Sequence, residues 1–152
     1  MPGLTQPLVS EPKPVEVGGS AILPIVDRSR DWWTQAQADL DHARASVTVR
    51  HYDWACFAAH QAAEKGLKAV LESRGEKAVG HSVRFLLAAV TEEPSPGVLA
   101  AAKVLDKHYI PTRYPNALTQ GAPTEFYTEE EASDAIRRAE EVLRFCDRLL
   151  AR

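Results

Sequence analysis

No proline stands between Val26 and Glu93, a run of 68 residues. Proline lacks the backbone N–H and clashes with the preceding helical turn, at a cost of about 3 kcal/mol inside a helix. The run is therefore open to long helices, and the flanks are not. Five of the ten prolines (Pro2, Pro7, Pro12, Pro14, Pro24) fall in the first 24 residues, among Gly, Ser and Val with no sustained period. Residues 1–30 read as a flexible, Pro-rich N-terminal tail, and residues 31–152 as one domain of ordinary size. The apolar piece Ala21-Ile22-Leu23-Pro24-Ile25-Val26 could dock on the domain or on a partner.

Within the domain the apolar residues follow helical spacing. Trp33, Ala36, Leu40, Ala43 and Val47 form one stripe behind Asp31, a capping residue, which predicts a helix over about 31–49. A second helix runs from Tyr52 to about Ser73, ahead of Gly75. Its alanines permit close approach of neighbours, and its apolar residues cover much of the circumference, so it is expected to be the most buried element. Ser82 caps a third helix ended by Pro94 and Pro96. A fourth starts at Gly97, with Val98, Ala102, Leu105 and Tyr109 inward. Pro111, Pro115, Gly121 and Pro123 then enforce a loop over about 110–127. Thr128 and Glu131 form a capping-box pattern before a last helix through Leu150. Nothing reads as a strand pair. The expected class is all-α: an up-and-down four-helix bundle plus one short helix.

Charge narrows the function classes. Eighteen basic residues face 21 acidic ones, and after Pro123 eight acidic residues face five basic ones. A general duplex-binding surface is basic, because its affinity comes from neutralised phosphates, so sequence-specific duplex DNA binding is not expected. No run approaches the roughly 18 apolar residues of a membrane span. No basic patch followed by an apolar core marks a secretory signal. Cys56 and Cys146 sit beside Phe57 and Phe145, as buried thiols of a reducing cytoplasm do. The five histidines are scattered, with no His-x-x-x-His and no Cys-x-x-Cys, so neither a metal site nor a cofactor is expected. There is also no glycine-rich phosphate loop.

Two segments could carry chemistry. In the second helix His60, Glu64 and Lys68 are successive i, i+4 neighbours, with Gln61 and Lys65 in a parallel column. Such columns are commonly a solvated face. On an otherwise apolar helix they must meet water, a partner or a ligand. The second segment is His108-Tyr109-Ile110-Pro111-Thr112-Arg113-Tyr114-Pro115-Asn116. Here two tyrosines flank an arginine in a chain stiffened by two prolines. Tyrosine stacks on bases and arginine grips phosphate bidentately. Equally, Arg113 could pair with an acidic residue of the last helix.

The order of these segments resembles the HEPN family, named for nucleotide binding in higher eukaryotes and prokaryotes. The resemblance covers about 31–150. It rests on Trp33 with Ala38-Asp39-Leu40, on Tyr52, Cys56-Phe57 and His60 through Lys68, on His81-Ser82-Val83 before Leu86-Leu87, on Tyr109 with Arg113-Tyr114-Pro115, and on Tyr127 with Ala132 through Ala139. It implies a bundle that often forms homodimers and works with a minimal nucleotidyltransferase in toxin–antitoxin modules. HEPN ribonucleases carry an arginine, four to six residues, then a histidine, near a helix start in the second half of the domain. Here Arg74 and His81 have that spacing but come before the third helix, and at His108 the partner is Lys103. The departure points to a binding subunit for nucleotide or RNA, with Arg113 and Lys68 on phosphate, Tyr109 and Tyr114 on the base, and Glu64 and Gln61 orienting them. One alternative is a metal-independent endoribonuclease toxin using His108. Another is a helical dimerisation module without a ligand.

Overall fold

The computed structural model describes residues 26–152, together with the backbone of residues 15–17 and 20–22. That backbone pairs as a small antiparallel ribbon, β1 (Val15–Val17) with β2 (Ser20–Ile22), in the register Val15 opposite Ile22. The sequence reading had no strands here. β-Branched residues on both sides of Gly18-Gly19 are its sequence signal. The rest of the expected tail before Val26 lies outside the described residues.

The domain is all-α, with six helices among the described residues: α1 (Ser29–Thr48), α2 (Tyr52–Ser73), α3 (Val83–Ala89), α4 (Pro96–Asp106), α5 (Pro123–Phe126) and α6 (Glu129–Leu150). α2 is the hub, packed against α1, α3, α4 and α6. Fifteen of its 22 residues are buried, which makes it the most enclosed helix. Its alanines let α1 and α6 come close, and Gly66 sets the tightest point. A Cβ there would overlap Leu143 Cδ2 of α6. Leu67, Leu71, Leu87 and Leu105 fill the core between helices and are almost wholly buried, each stabilising by about 1.5–3 kcal/mol. No described helix is long and apolar enough to cross a membrane.

The helix ends show how local chemistry sets the boundaries. Ser82 Oγ accepts the Phe85 N–H, Ser95 Oγ the Val98 N–H and Thr128 Oγ1 the Glu131 N–H, each at 3.2 Å. Ser82 and Thr128 are the caps expected from the sequence. Ser95 moves the start of α4 ahead of Gly97, with Pro96 at the first helical position, where its missing N–H costs nothing. α1 starts at Ser29, so Asp31 lies in its first turn and pairs with Arg28 instead of capping. α4 stops at Asp106, three residues before Tyr109. The long loop contains a 3₁₀ turn at Pro115–Ala117 and the one-turn α5.

Candidate functional site

The polar column of α2 does not face water. His60 is fully buried, Glu64 is 2% exposed and Lys68 8%. The column is roofed by residues from three other elements. His81, at the entry to α3, brings Nδ1 to 2.6 Å from Glu64 Oε1. Lys68 Nζ lies 3.8 Å from the same oxygen and 5.2 Å from the centre of the Trp32 ring of α1. Asp106, the last residue of α4, places Oδ1 3.3 Å from His60 Nε2, out of line for a hydrogen bond. Gln61 Nε2 is 3.3 Å from His60 Nδ1. Lys65 leaves the column and pairs with Asp39 of α1.

Asp106 joins the site to the fold. It accepts hydrogen bonds from Ser82 Oγ (2.7 Å), Val83 N (2.7 Å) and Arg84 N (3.1 Å), the donors at the start of α3. Partial burial works to raise its pKa. The His60 ring, the Ser82 hydroxyl and the two backbone N–H groups outweigh that and hold the carboxyl below its ordinary value. The adjacent residues His81 and Ser82 are thus gripped by two carboxylates, Glu64 from α2 and Asp106 from α4.

Tyr109 lies across this cluster. Its ring stacks on His81 (centroids 5.2 Å, planes 18° apart), tilts against His60 (5.1 Å) and meets Phe57 (6.3 Å). Phe57 continues to Trp54 at 6.0 Å. Arg113 folds back over the rings, its Cζ 4.1 Å from the centre of Phe57, 4.8 Å from Tyr109 and 5.1 Å from Tyr114. Its Nε and Nη2 both donate to the Tyr109 carbonyl, at 2.9 and 2.7 Å. Among the described residues no carboxylate pairs with it, so the ion pair to the last helix that the sequence left open does not form. Tyr114 is half exposed.

His108 points elsewhere. It is buried, its ring packs edge-on against Tyr127, and its Nδ1 has no partner among the described residues. Burial holds its pKa below the ordinary value, and the acidic Glu131 and Asp134 only partly oppose this. Arg74, spaced like a ribonuclease arginine from His81, is engaged by Glu92 through two 2.6 Å bonds, which hold that carboxyl down at about 2. Of the residues marked in the sequence, the structure gathers Arg113, Tyr109, Tyr114, His60, Gln61, Glu64 and Lys68, and leaves out Lys65 and His108. Asp106 and Trp32 carry no mark in the sequence reading, Phe57 enters it only beside Cys56 and within the family resemblance, and His81 only within that resemblance and through its spacing from Arg74. No group of three or more His, Cys, Asp and Glu side chains among the described residues is placed to hold a metal ion. A separate groove of about 410 Å³ lies between α1 and α6 over Trp33, Leu40 and Leu143. Its arginines are already paired, Arg44 with Asp41 and Glu140, and Arg144 with Glu140.

A family model described as the HEPN domain matches residues 29–149. The chain belongs to the HEPN family. Solved structures share the fold. The chain superposes on TT1696 from Thermus thermophilus with a TM-score of 0.79 and 45% identity, covering 82% of this chain and 99% of that one. With ST0689, an archaeal HEPN homologue, the values are 0.69 and 38%, over 80% and 97% of the two chains. With the HEPN domain protein TM0613 from Thermotoga maritima they are 0.66 and 35%, over 80% and 98%. A curated relative, named "Putative toxin MJ1304", comes from Methanocaldococcus jannaschii. It is 28% identical over 120 residues, 72% of this chain and 79% of that protein.

Proposed function

We propose that this HEPN protein is the nucleotide- or RNA-binding subunit of a toxin–antitoxin-like pair, acting in the cytoplasm as a homodimer with a minimal nucleotidyltransferase. The observation that carries the reading is Arg113. A guanidinium laid across Phe57, Tyr109 and Tyr114 with no acidic partner among the described residues is a cation held in place for an anion from outside. Arginine meets phosphate in a planar, two-bonded fork, and the adjoining rings accept a base. The likeness to a relative named as a toxin supports the biological setting.

Calorimetric titration with AMP and the other nucleoside monophosphates tests the reading. Saturable binding is expected, lost in Arg113→Ala and not rescued by Arg113→Lys, because lysine has the charge without the stacking plane. Absence of binding to every nucleotide, with Arg113→Ala behaving as the wild type, would overturn it. Co-purification with the nucleotidyltransferase encoded nearest to its gene tests the partnership, and light scattering tests the dimer.

A second reading, a metal-independent endoribonuclease, is favoured by one observation. His81 is an imidazole with 60% of its side chain exposed, its Nδ1 held by buried Glu64 at 2.6 Å. This is how a carboxylate orients a histidine for proton transfer. On this reading, cleavage of labelled RNA in EDTA is abolished by His81→Ala and survives His108→Ala.

A further inference from the structure

The five histidines of the chain differ in what holds their two nitrogens. His60 and His108 are buried. His42 and His51 are exposed, and among the described residues no carboxylate lies within ion-pair distance of either. His81 is mostly exposed, yet its Nδ1 lies 2.6 Å from Oε1 of the buried Glu64. A carboxylate oxygen only accepts, so Nδ1 carries the hydrogen and Nε2 keeps a lone pair. Among the described residues Nε2 has no hydrogen-bond partner. The surroundings add what a nucleophile needs. Glu64 is held in place by a second partner, Lys68 Nζ at 3.8 Å from the same oxygen. Tyr109 pins the imidazole, stacked at 5.2 Å with the planes 18° apart. Arg113 lies over that same Tyr109 ring at 4.8 Å, and its guanidinium is free to gather the oxygens of a phosphoryl group. An open nitrogen lone pair, a buried anion behind it and an unpaired guanidinium beside it are the parts that phosphoryl transfer to nitrogen uses.

We infer that His81 Nε2 is a phosphoryl acceptor, taking the group from a donor of the phosphoramidate class. The Nε2 lone pair attacks phosphorus and forms a P–N bond. The donor's own P–N bond breaks, and its electron pair leaves with the amine. The ring becomes an imidazolium, and its Nδ1–H faces the Glu64 carboxylate, which offsets the new positive charge. Nε2 is the nucleophile and Glu64 a positioning residue. The attached group brings negative charge toward Arg113. Neither reading above involves a covalent bond to His81, and the acceptor role needs no nucleotide.

Incubation of the full chain with potassium phosphoramidate, with no nucleotide present, tests it. Phosphohistidine is located residue by residue by mass spectrometry of peptides kept from acid. His81 is expected to gain phosphoryl groups about tenfold or more faster than His42 and His51, the scale of one hydrogen bond to a charged group. Glu64→Gln keeps an acceptor oxygen and removes the charge, and is expected to bring His81 down to the rate of His51. His81→Asn is expected to leave only the slow labelling of His42 and His51. Thermal melting verifies the fold of both variants, and the comparison within the wild-type chain needs neither of them. Equal rates at the three exposed histidines, or no phosphohistidine at His81, overturn the inference. A folded Glu64→Gln variant that labels as fast as the wild type overturns it as well. Each of these results leaves the nucleotide reading standing, because that reading rests on Arg113.

Discussion

Asp106 works in two directions at once: its oxygens accept the donors that start α3 and lie against the buried His60 ring. Its pKa is depressed in the folded state, so its stabilisation is present above about pH 4, the ordinary aspartate range, and is lost as pH falls through the lower folded value. His108 acts in a different window. Its folded pKa lies below the ordinary value, so the unfolded chain takes up the proton first, and stability declines as pH falls from about 6.5 toward the folded value. In urea titrations across pH, Asp106→Asn is expected to cost about 1–2 kcal/mol at neutral pH and to flatten the limb below about pH 4. His108→Asn is expected to flatten the step just below pH 6.5 and leave the lower limb alone. The two-carboxylate grip could not be read along the chain. Glu64, His60 and Lys68 share one helix, and Arg113 with Tyr109 one loop, so spacing alone groups each set. His81 reaches Glu64 across 17 positions and Asp106 reaches Val83 across 23, pairings that only helix packing creates.

At the scale of elements, the α2–α6 contact is set by the absence of a side chain. Gly66→Ala should gain about 1 kcal/mol of helix propensity. It should lose more than that, because the added methyl overlaps Leu143, itself only 6% exposed and without room to yield. Overpacking of this kind costs about 1–3 kcal/mol, so a net loss of about 1 kcal/mol of stability, read from the shift in denaturation midpoint, is expected. The long helices were legible from their apolar stripes, and the caps Ser82 and Thr128 from residue type. The short elements were not. α5 has four residues, too few to show a period, and its start is held by Glu125 Oε2 accepting the Ala122 N–H at 2.8 Å. α4 ends early because Asp106 is drawn to α3, a tertiary demand that the smooth run Val98, Ala102, Leu105, Tyr109 conceals.

For the whole molecule, both thiols report on global unfolding. Burial pushes Cys56 up to about 12 and Cys146 higher still, and both are fully enclosed. Neither should react with iodoacetamide in the folded protein. Labelling across a urea series should follow the loss of helical circular dichroism for both sites together. A thiol that labels earlier would mark a part of the bundle that opens alone. The grip on His81 and Ser82 has a last consequence. α3 is only seven residues long and is held at its entry by the same His81 that roofs the site. A molecule bonded to His81 from outside would draw α3 more firmly onto the bundle. The amide protons of Val83–Ala89 would then exchange with deuterium more slowly, although none of them need touch it.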